Sequence, residues 1–347
     1  MTPPPDRVFK DGPLAGLAAW AVAIPMALRY RRLAERRAVL IRGPAGWGEF
    51  SPFDEYGEPV AARWLASALE SAINPFPAPV RDRIPVNVTV PPVSAPQAAA
   101  LVRNSGCRTA KVKVAEPGQD FSHDLSRVAA VREALGEGGF LRVDVNGAWG
   151  VDEAEARLGR LDELGLQYAE QPCATLPELA ELRRRTGVPI AADESIRSGA
   201  SPEQIASSGS ADILVMKVQP MGGVRRMLDW ASRTGLAVVP SSALETSVGL
   251  AAGLAAASSL PDLPYACGLA TSSLLAGDVV RDPLTPDRGE IRLRRPEPAP
   301  ELLERWRPPE DVASQMIARL ESVANHLLMA SPCSDWNQAA IRGVRLP

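Results

Sequence analysis

LRVDVNGAW (residues 141–149), LQYAEQP (166–172), PIAADES (189–195) and DILVMKV (212–218) each carry a short apolar run that ends on a charge, at Asp144, Glu170, Asp193 and Lys217. The intervals between those charges are 26, 23 and 24 residues, about one strand plus one helix each time. TAKVKVA (109–115) precedes them with Lys111 and Lys113. Regular polar termini on apolar strands are what a parallel barrel requires, because its functional groups sit at the C-terminal ends of the strands.

Outward from this stretch, residues 83–269 alternate strand-like and helix-like segments, which predicts an α/β fold with a parallel sheet. Strands are expected at 84–90, 109–114, 140–145, 167–169, 189–192, 213–218, 236–240 and 265–269. Nearly continuous apolar character suits strands covered on both faces. Helices are expected at 95–103, 122–134, 152–164, 176–186, 202–207, 224–234 and 246–257, which makes a (β/α)7β barrel. Upstream, 20–29 and 37–41 read as antiparallel strands and 59–73 as an amphipathic helix, a separate α+β unit. The Pro-rich stretch 283–309 reads as loop and 310–329 as a helix, while 330–347 shows no pattern. The expected division is 1–83 as an N-terminal α+β domain, 84–285 as the barrel, and 286–347 as a C-terminal loop and helix returning towards the first domain.

Asp144, Glu170 and Asp193 form an all-oxygen set on three consecutive strands, as hard divalent cations prefer. One such residue alone is as well explained as a cap for the next helix. Three in register, with Asn146 and Glu194 alongside, favour a ligand set. Strand alternation sends Lys111 and Lys113 to one face. If that face is the barrel interior, their burial is costly unless they are paired or tuned, which points to charge or proton chemistry; on a sheet edge they would only be solvated. Lys217 approaches from the opposite side. Such lysines around a metal suit proton removal next to a carboxylate. His123 and His326, the only histidines, end no strand and read as surface residues, which argues against a Ser-His-Asp hydrolase.

With 38 basic against 41 acidic residues the chain carries no basic footprint for nucleic acid, and a small-molecule carboxylate fits better as partner. Cys107, Cys173, Cys267 and Cys333 lack any paired spacing, which argues against a disulfide framework or a zinc site and for a reducing cytoplasm. The uncharged segment 13–28 is too short to span a bilayer and contains Pro25, so it reads as loop and buried strand. The sequence leaves the oligomeric state open.

TAKVKV, VDVNGAW, AEQP, ADES and MKVQPMGG together resemble the enolase superfamily in its muconate-lactonizing subgroup, with its Lys-x-Lys on the second barrel strand and lysine on the sixth. AIPMALRY (23–30) and GWGEFSPFDEYG (46–57) are similar to that family's capping domain, and SSALETSVGL (241–250) and GLATSSLL (268–275) to its seventh and eighth strand loops. The resemblance implies a modified TIM barrel with a cap over its mouth. It implies magnesium, with manganese as a substitute, on Asp144, Glu170 and Asp193. Lys113 would be the base and then the acid, Lys217 the opposing cation, and Lys111 the support of Lys113. Ser241, Ser242 and the backbone near Gly268 would hold a substrate carboxylate. The expected reaction is dehydration of a cyclic carboxylate; racemisation of N-succinylamino acids, epimerisation of dipeptides, or a non-catalytic binding role are the alternatives.

Overall fold

The structure is a computed structural model and describes residues 2–30, 33–197 and 199–329. An antiparallel sheet opens the chain, formed by β1 (Arg7–Val8), β2 (Ala18–Tyr30), β3 (Leu33–Gly43) and β4 (Gly46–Phe50) in that order. Helix α1 (Glu58–Ile73) lies on it, burying Trp64, Leu65, Ala68 and Leu69 against Val39, Ile41 and Phe50. The approach is so close that a Cβ on Gly48 would sit 1.9 Å from the Ala68 carbonyl oxygen, so β4 tolerates only glycine there.

The barrel strands are β5 (Arg83–Val90), β6 (Thr109–Lys113), β7 (Phe140–Asp144), β8 (Leu166–Glu170), β9 (Ile190–Ala192), β10 (Ile213–Lys217), β11 (Ala237–Ser241) and β12 (Cys267–Ala270). All pair in parallel in chain order, and β12 returns to β5 to close the ring. Between them run α2 (Ala95–Ser105), α3 (Phe121–Leu135), α4 (Val151–Asp162), α5 (Leu176–Arg185), the short α6 (Glu194–Arg197), α7 (Pro202–Ser208), the short α8 (Val218–Met221), α9 (Val224–Thr234) and α10 (Ser247–Ser259). Among the described residues no α-helix follows β12 before the chain turns back, which is the expected (β/α)7β arrangement.

Alternation decides what each strand shows the barrel interior. Ala110 and Val112, Leu141 and Val143, and Leu214 and Met216 pack outward among the helices. Tyr168, Ala191, Ile213, Val215 and Val239 fill the interior below the mouth. The same alternation leaves Lys111, Lys113, Arg142, Asp144, Glu170 and Lys217 on the inner face.

Residues 283–309 are not loop throughout. β13 (Glu290–Arg292) pairs antiparallel with β5, putting Ile291 opposite Ile84, and α11 (Pro300–Arg305) follows. α12 (Glu310–Met329) then packs Ile317, Leu320, Val323 and Leu327 into the core beneath α1. The unpatterned residues 330–347 lie outside the described residues. No described helix is long and apolar enough to cross a membrane. Cys107, Cys173 and Cys267 are buried free thiols; Cys333 is outside the described residues. His123 is exposed and His326 partly so, its Nδ1 3.8 Å from Glu58 at the surface.

Candidate active site

Register places the charges. Lys113, Asp144 and Glu170 are Cα partners on the adjacent strands β6, β7 and β8. Lys217, Ser241 and Gly268 form a second row on β10, β11 and β12. One half of the mouth therefore carries the acids and two lysines, and the other a lysine among small residues. Loops after the strands turn at non-glycine residues held at positive φ, Asn146 at 53° and Gln171 at 41°. The Gln171 side chain stabilises its neighbour by accepting from the backbone N–H of Asp193 at 2.9 Å and of Ser195 at 3.2 Å.

All the predicted acids and lysines come together; Lys111, Lys113, Asp144, Glu170, Asp193 and Lys217 are buried and Glu194 is half-buried. Lys111 Nζ donates to both Glu170 oxygens, at 2.9 and 2.8 Å, and lies 3.4 Å from Asp144. Lys113 Nζ is 2.7 Å from Asp144 Oδ2 and donates to Asn146 Oδ1. Across the mouth, Lys217 Nζ donates to Asp193 Oδ2 at 2.5 Å. Asn146 also donates to Glu194 at 2.8 Å, and Glu194 pairs with Arg197, a residue the sequence pattern did not single out. Arg197 lies 3.5 Å from Asp193 and donates to the Tyr56 hydroxyl at 3.2 Å.

Burial opposes ionisation of Asp144, but Lys113 and Lys111 outweigh it and hold that carboxyl well below the usual range. Burial opposes ionisation of Asp193 too, and Arg197 and Lys217 outweigh it. Glu170 goes the other way: burial first, then the Asp144 charge, push it up to about 7. Burial lowers Lys217 against the pull of Asp193. Three carboxylates are thus each matched to an ammonium. Among the described residues no three acids converge on one point as an ion's shell, because the lysines stand between them. The donor set nevertheless fits a hard divalent cation. All its groups are carboxylates, and Asp193 Oδ1 and Glu194 Oε2 are buried oxygens without a hydrogen-bond partner among the described residues.

The cavity over these groups is lined by Lys111, Lys113, Lys217, Ser241, Ser242 and Gly268, and also by Phe53, Thr89, Leu244 and Thr271, which the sequence pattern did not mark. Gly268 is there for closeness: a Cβ would lie 2.4 Å from Ser241 Oγ. Ser242 shares a hydrogen bond of 2.5 Å with Thr271. Phe53 comes from the loop after β4 and Leu244 from the loop after β11, so the first domain roofs the mouth. About 30 Å³ remains free, room for one water. A larger groove of about 650 Å³ runs between Asp6, Arg7 and α12, but its charges are spent in surface ion pairs such as Arg307 to Asp6 at 2.6 Å.

The family pattern described as Enolase C-terminal domain-like matches residues 94–299, and that described as Enolase N-terminal domain-like matches residues 21–72. With the closed barrel, its cap and the charged mouth, these matches place the chain in the enolase superfamily. Among curated proteins it is 56% identical over 320 residues to an o-succinylbenzoate synthase of Thermobifida fusca, covering 92% of this chain and 96% of the relative. It is 51% identical over 291 residues to one of Mycolicibacterium smegmatis, covering 83% and 89%. Within the superfamily the chain belongs to the family of o-succinylbenzoate synthases. Solved structures share the fold at lower identity. The muconate lactonizing enzyme of Pseudomonas putida is 21% identical with a TM-score of 0.69, over 86% of this chain and 99% of that one. An N-succinyl Arg/Lys racemase of Bacillus cereus is 21% identical with a TM-score of 0.71, over 84% and 97%.

Proposed function

We infer that this chain is a carbon-oxygen lyase, an o-succinylbenzoate synthase that dehydrates 2-succinyl-6-hydroxy-2,4-cyclohexadiene-1-carboxylate in menaquinone biosynthesis. The observation that carries this reading is 56% identity to such a synthase over 92% of the chain. Racemisation or epimerisation, the alternative raised by the sequence, draws only on likeness of fold, and a non-catalytic role leaves three buried lysines in one mouth without a purpose.

The reaction breaks a C–H bond beside a carboxylate and a C–O bond on the neighbouring carbon, forms a C=C bond and releases water. Lys113 is the proposed base. Its ammonium is held between Asp144 and Asn146, so its position is fixed before substrate arrives. Having taken the proton, Lys113 returns it to the hydroxyl that leaves from the same face. Lys217 sits across the mouth as a cation and faces the charge that develops on the substrate carboxylate. Lys111 donates to both Glu170 oxygens and adds positive charge next to Lys113, which favours the neutral amine a base requires. Asp144, Glu170 and Asp193 would hold a divalent cation, magnesium or manganese, which when bound supplies positive charge for the substrate carboxylate. Ser241, Ser242 and the backbone at Gly268 are proposed to hold the succinyl carboxylate, because they line the half of the mouth that lacks acids.

The test is dehydration of the cyclohexadiene by the purified chain with added magnesium, followed by ultraviolet absorbance. No turnover would overturn the function. Lys113→Ala and Lys217→Ala should each lower kcat by about 10²–10⁴ while the fold persists; near-normal turnover by either would overturn the role proposed for that lysine.

A further inference from the structure

Arg36 on β3 is buried at 3% exposure, and its guanidinium reaches carbonyl groups on two separate loops. It donates from Nε to the Leu244 carbonyl at 3.2 Å and from Nη2 to the Ala243 carbonyl at 3.2 Å. The same Nη2 donates to the Ser51 carbonyl, and the guanidinium lies over the Phe53 ring, 4.5 Å from its centroid. One side chain therefore ties the roof loop 51–53 to the barrel loop 243–244, segments far apart in sequence. Phe53, Ala243 and Leu244 all line the cavity above Lys113 and Lys217.

The tie falls where the barrel loop needs it. Leu244 is held at φ 65°, a conformation that a branched side chain adopts only when its surroundings impose it. The carbonyls of Ala243 and Leu244, on either side of that turn, are those Arg36 binds. Further groups hold the roof loop: the Ser51 hydroxyl accepts from Gln219 Nε2, on the barrel side, at 3.1 Å and donates to Glu49 of β4 at 2.8 Å. Glu49 and Glu245, both buried, flank Arg36 and balance its charge.

We propose that Arg36 is a positioning residue for substrate selection: its fork sets Phe53 and Leu244 as opposing walls, so that the cavity accepts a flat ring bearing an acyl arm. The proposal rests on the dehydratase reading. It concerns substrate capture and selection and leaves the proton steps to Lys113 and Lys217. A planar fork with several donors reaches carbonyls on both loops; an ammonium does not. Arg36→Lys keeps the charge between Glu49 and Glu245 and removes the fork. Arg36→Met removes both.

The experiment has three readouts. Hydrogen exchange of the unliganded chain, which needs no activity, should show peptides covering 51–56 and 242–246 exchanging together at least tenfold faster in Arg36→Lys. Steady-state kinetics should show KM for the cyclohexadiene raised about tenfold or more with kcat within about threefold. The ratio of dehydration to α-proton exchange on N-succinylamino acids should fall alongside. Arg36→Met should exceed Arg36→Lys in each; if it does not fold, Arg36→Lys carries the test. Unchanged exchange in the two loops, or faster exchange with unchanged KM and selectivity, would overturn the proposal. Failure of the unaltered chain to dehydrate would count against the dehydratase reading, while the exchange readout would still judge whether Arg36 ties the loops.

Discussion

Replacing Glu70 with alanine should loosen the first domain from the barrel, by an amount that follows from its contacts. Glu70 is on α1, yet its carboxylate accepts from the backbone N–H of Val224 at 2.6 Å and of Arg225 at 3.2 Å, the first residues of α9. It also accepts from Arg225 Nη1 at 2.9 Å. Helix α9 begins after Gly223 and has no side-chain cap of its own, so a distant helix supplies it. Losing a cap costs about 1 kcal/mol, and buried hydrogen bonds to a charged group contribute about 1.5–3 kcal/mol each. The ion pair adds under about 1 kcal/mol because Arg225 is well exposed. These terms overlap, so Glu70→Ala should cost about 3 kcal/mol and Glu70→Gln, which keeps an acceptor, about 1 kcal/mol. Hydrogen exchange at Val224 and Arg225 should then accelerate about 100-fold in Glu70→Ala and about fivefold in Glu70→Gln, since each 1.4 kcal/mol is a factor of ten. Urea unfolding read by tryptophan fluorescence should follow the same order. A Glu70→Ala protein within about 0.5 kcal/mol of the original, with unchanged exchange at those amides, would refute the reasoning.

Gly223→Ala should destabilise by at least about 2 kcal/mol, because the added Cβ would lie 2.0 Å from Glu70 Oε2 and the backbone is at φ 131°; in a Glu70→Ala background thermal melting should show the smaller loss due to φ alone. Burial, then the Glu245 charge, push Glu49 up to about 7 from 4.5, so the folded chain binds that proton more tightly than the unfolded one. Stability from this group is present below pH 4.5 and lost as pH rises to about 7, at most about 3 kcal/mol; Glu49→Gln should flatten that slope in melting temperature between about pH 5 and 7.5. Chelator dialysis should abolish dehydration and added magnesium restore it, while Asp193→Asn should weaken manganese binding measured by spin resonance.

The barrel was legible because its strands are apolar on both faces and end in charge. β7, predicted at 140–145, ends at Asp144, and β10, predicted at 213–218, ends at Lys217. Lys-x-Lys on β6 needed only alternation to be placed inward. What escaped had no local signature. β13 has three residues with Ile291 alone facing in, inside a charged, Pro-rich stretch that reads as loop. Arg197 follows Asp193 by one helical turn, and its role depends on a Tyr56 contributed by the other domain. Glu70 and Gly223 are far apart in sequence, and nothing in either segment announces the other. The pairing of every site carboxylate with a lysine was equally hidden, because register fixes which strands adjoin but side-chain reach decides which charges meet.

The mouth is divided in a way that separates two demands on the chain. β6 to β10 carry the charges, each held by a partner on a nearby strand: Lys113 by Asp144, Lys111 by Glu170 and Lys217 by Asp193. A change of one disturbs the others, since Asp144 is shared by Lys113 and Lys111 and Asp193 by Lys217 and Arg197. β11, β12 and the roof present Ser241, Ser242, Gly268, Thr271, Phe53 and Leu244, joined by neutral hydrogen bonds and by Arg36. Substitution of those six lining residues alters shape without uncovering a charge. Charge is therefore held by mutual compensation along β6 to β10, and shape by neutral contacts on β11, β12 and the roof.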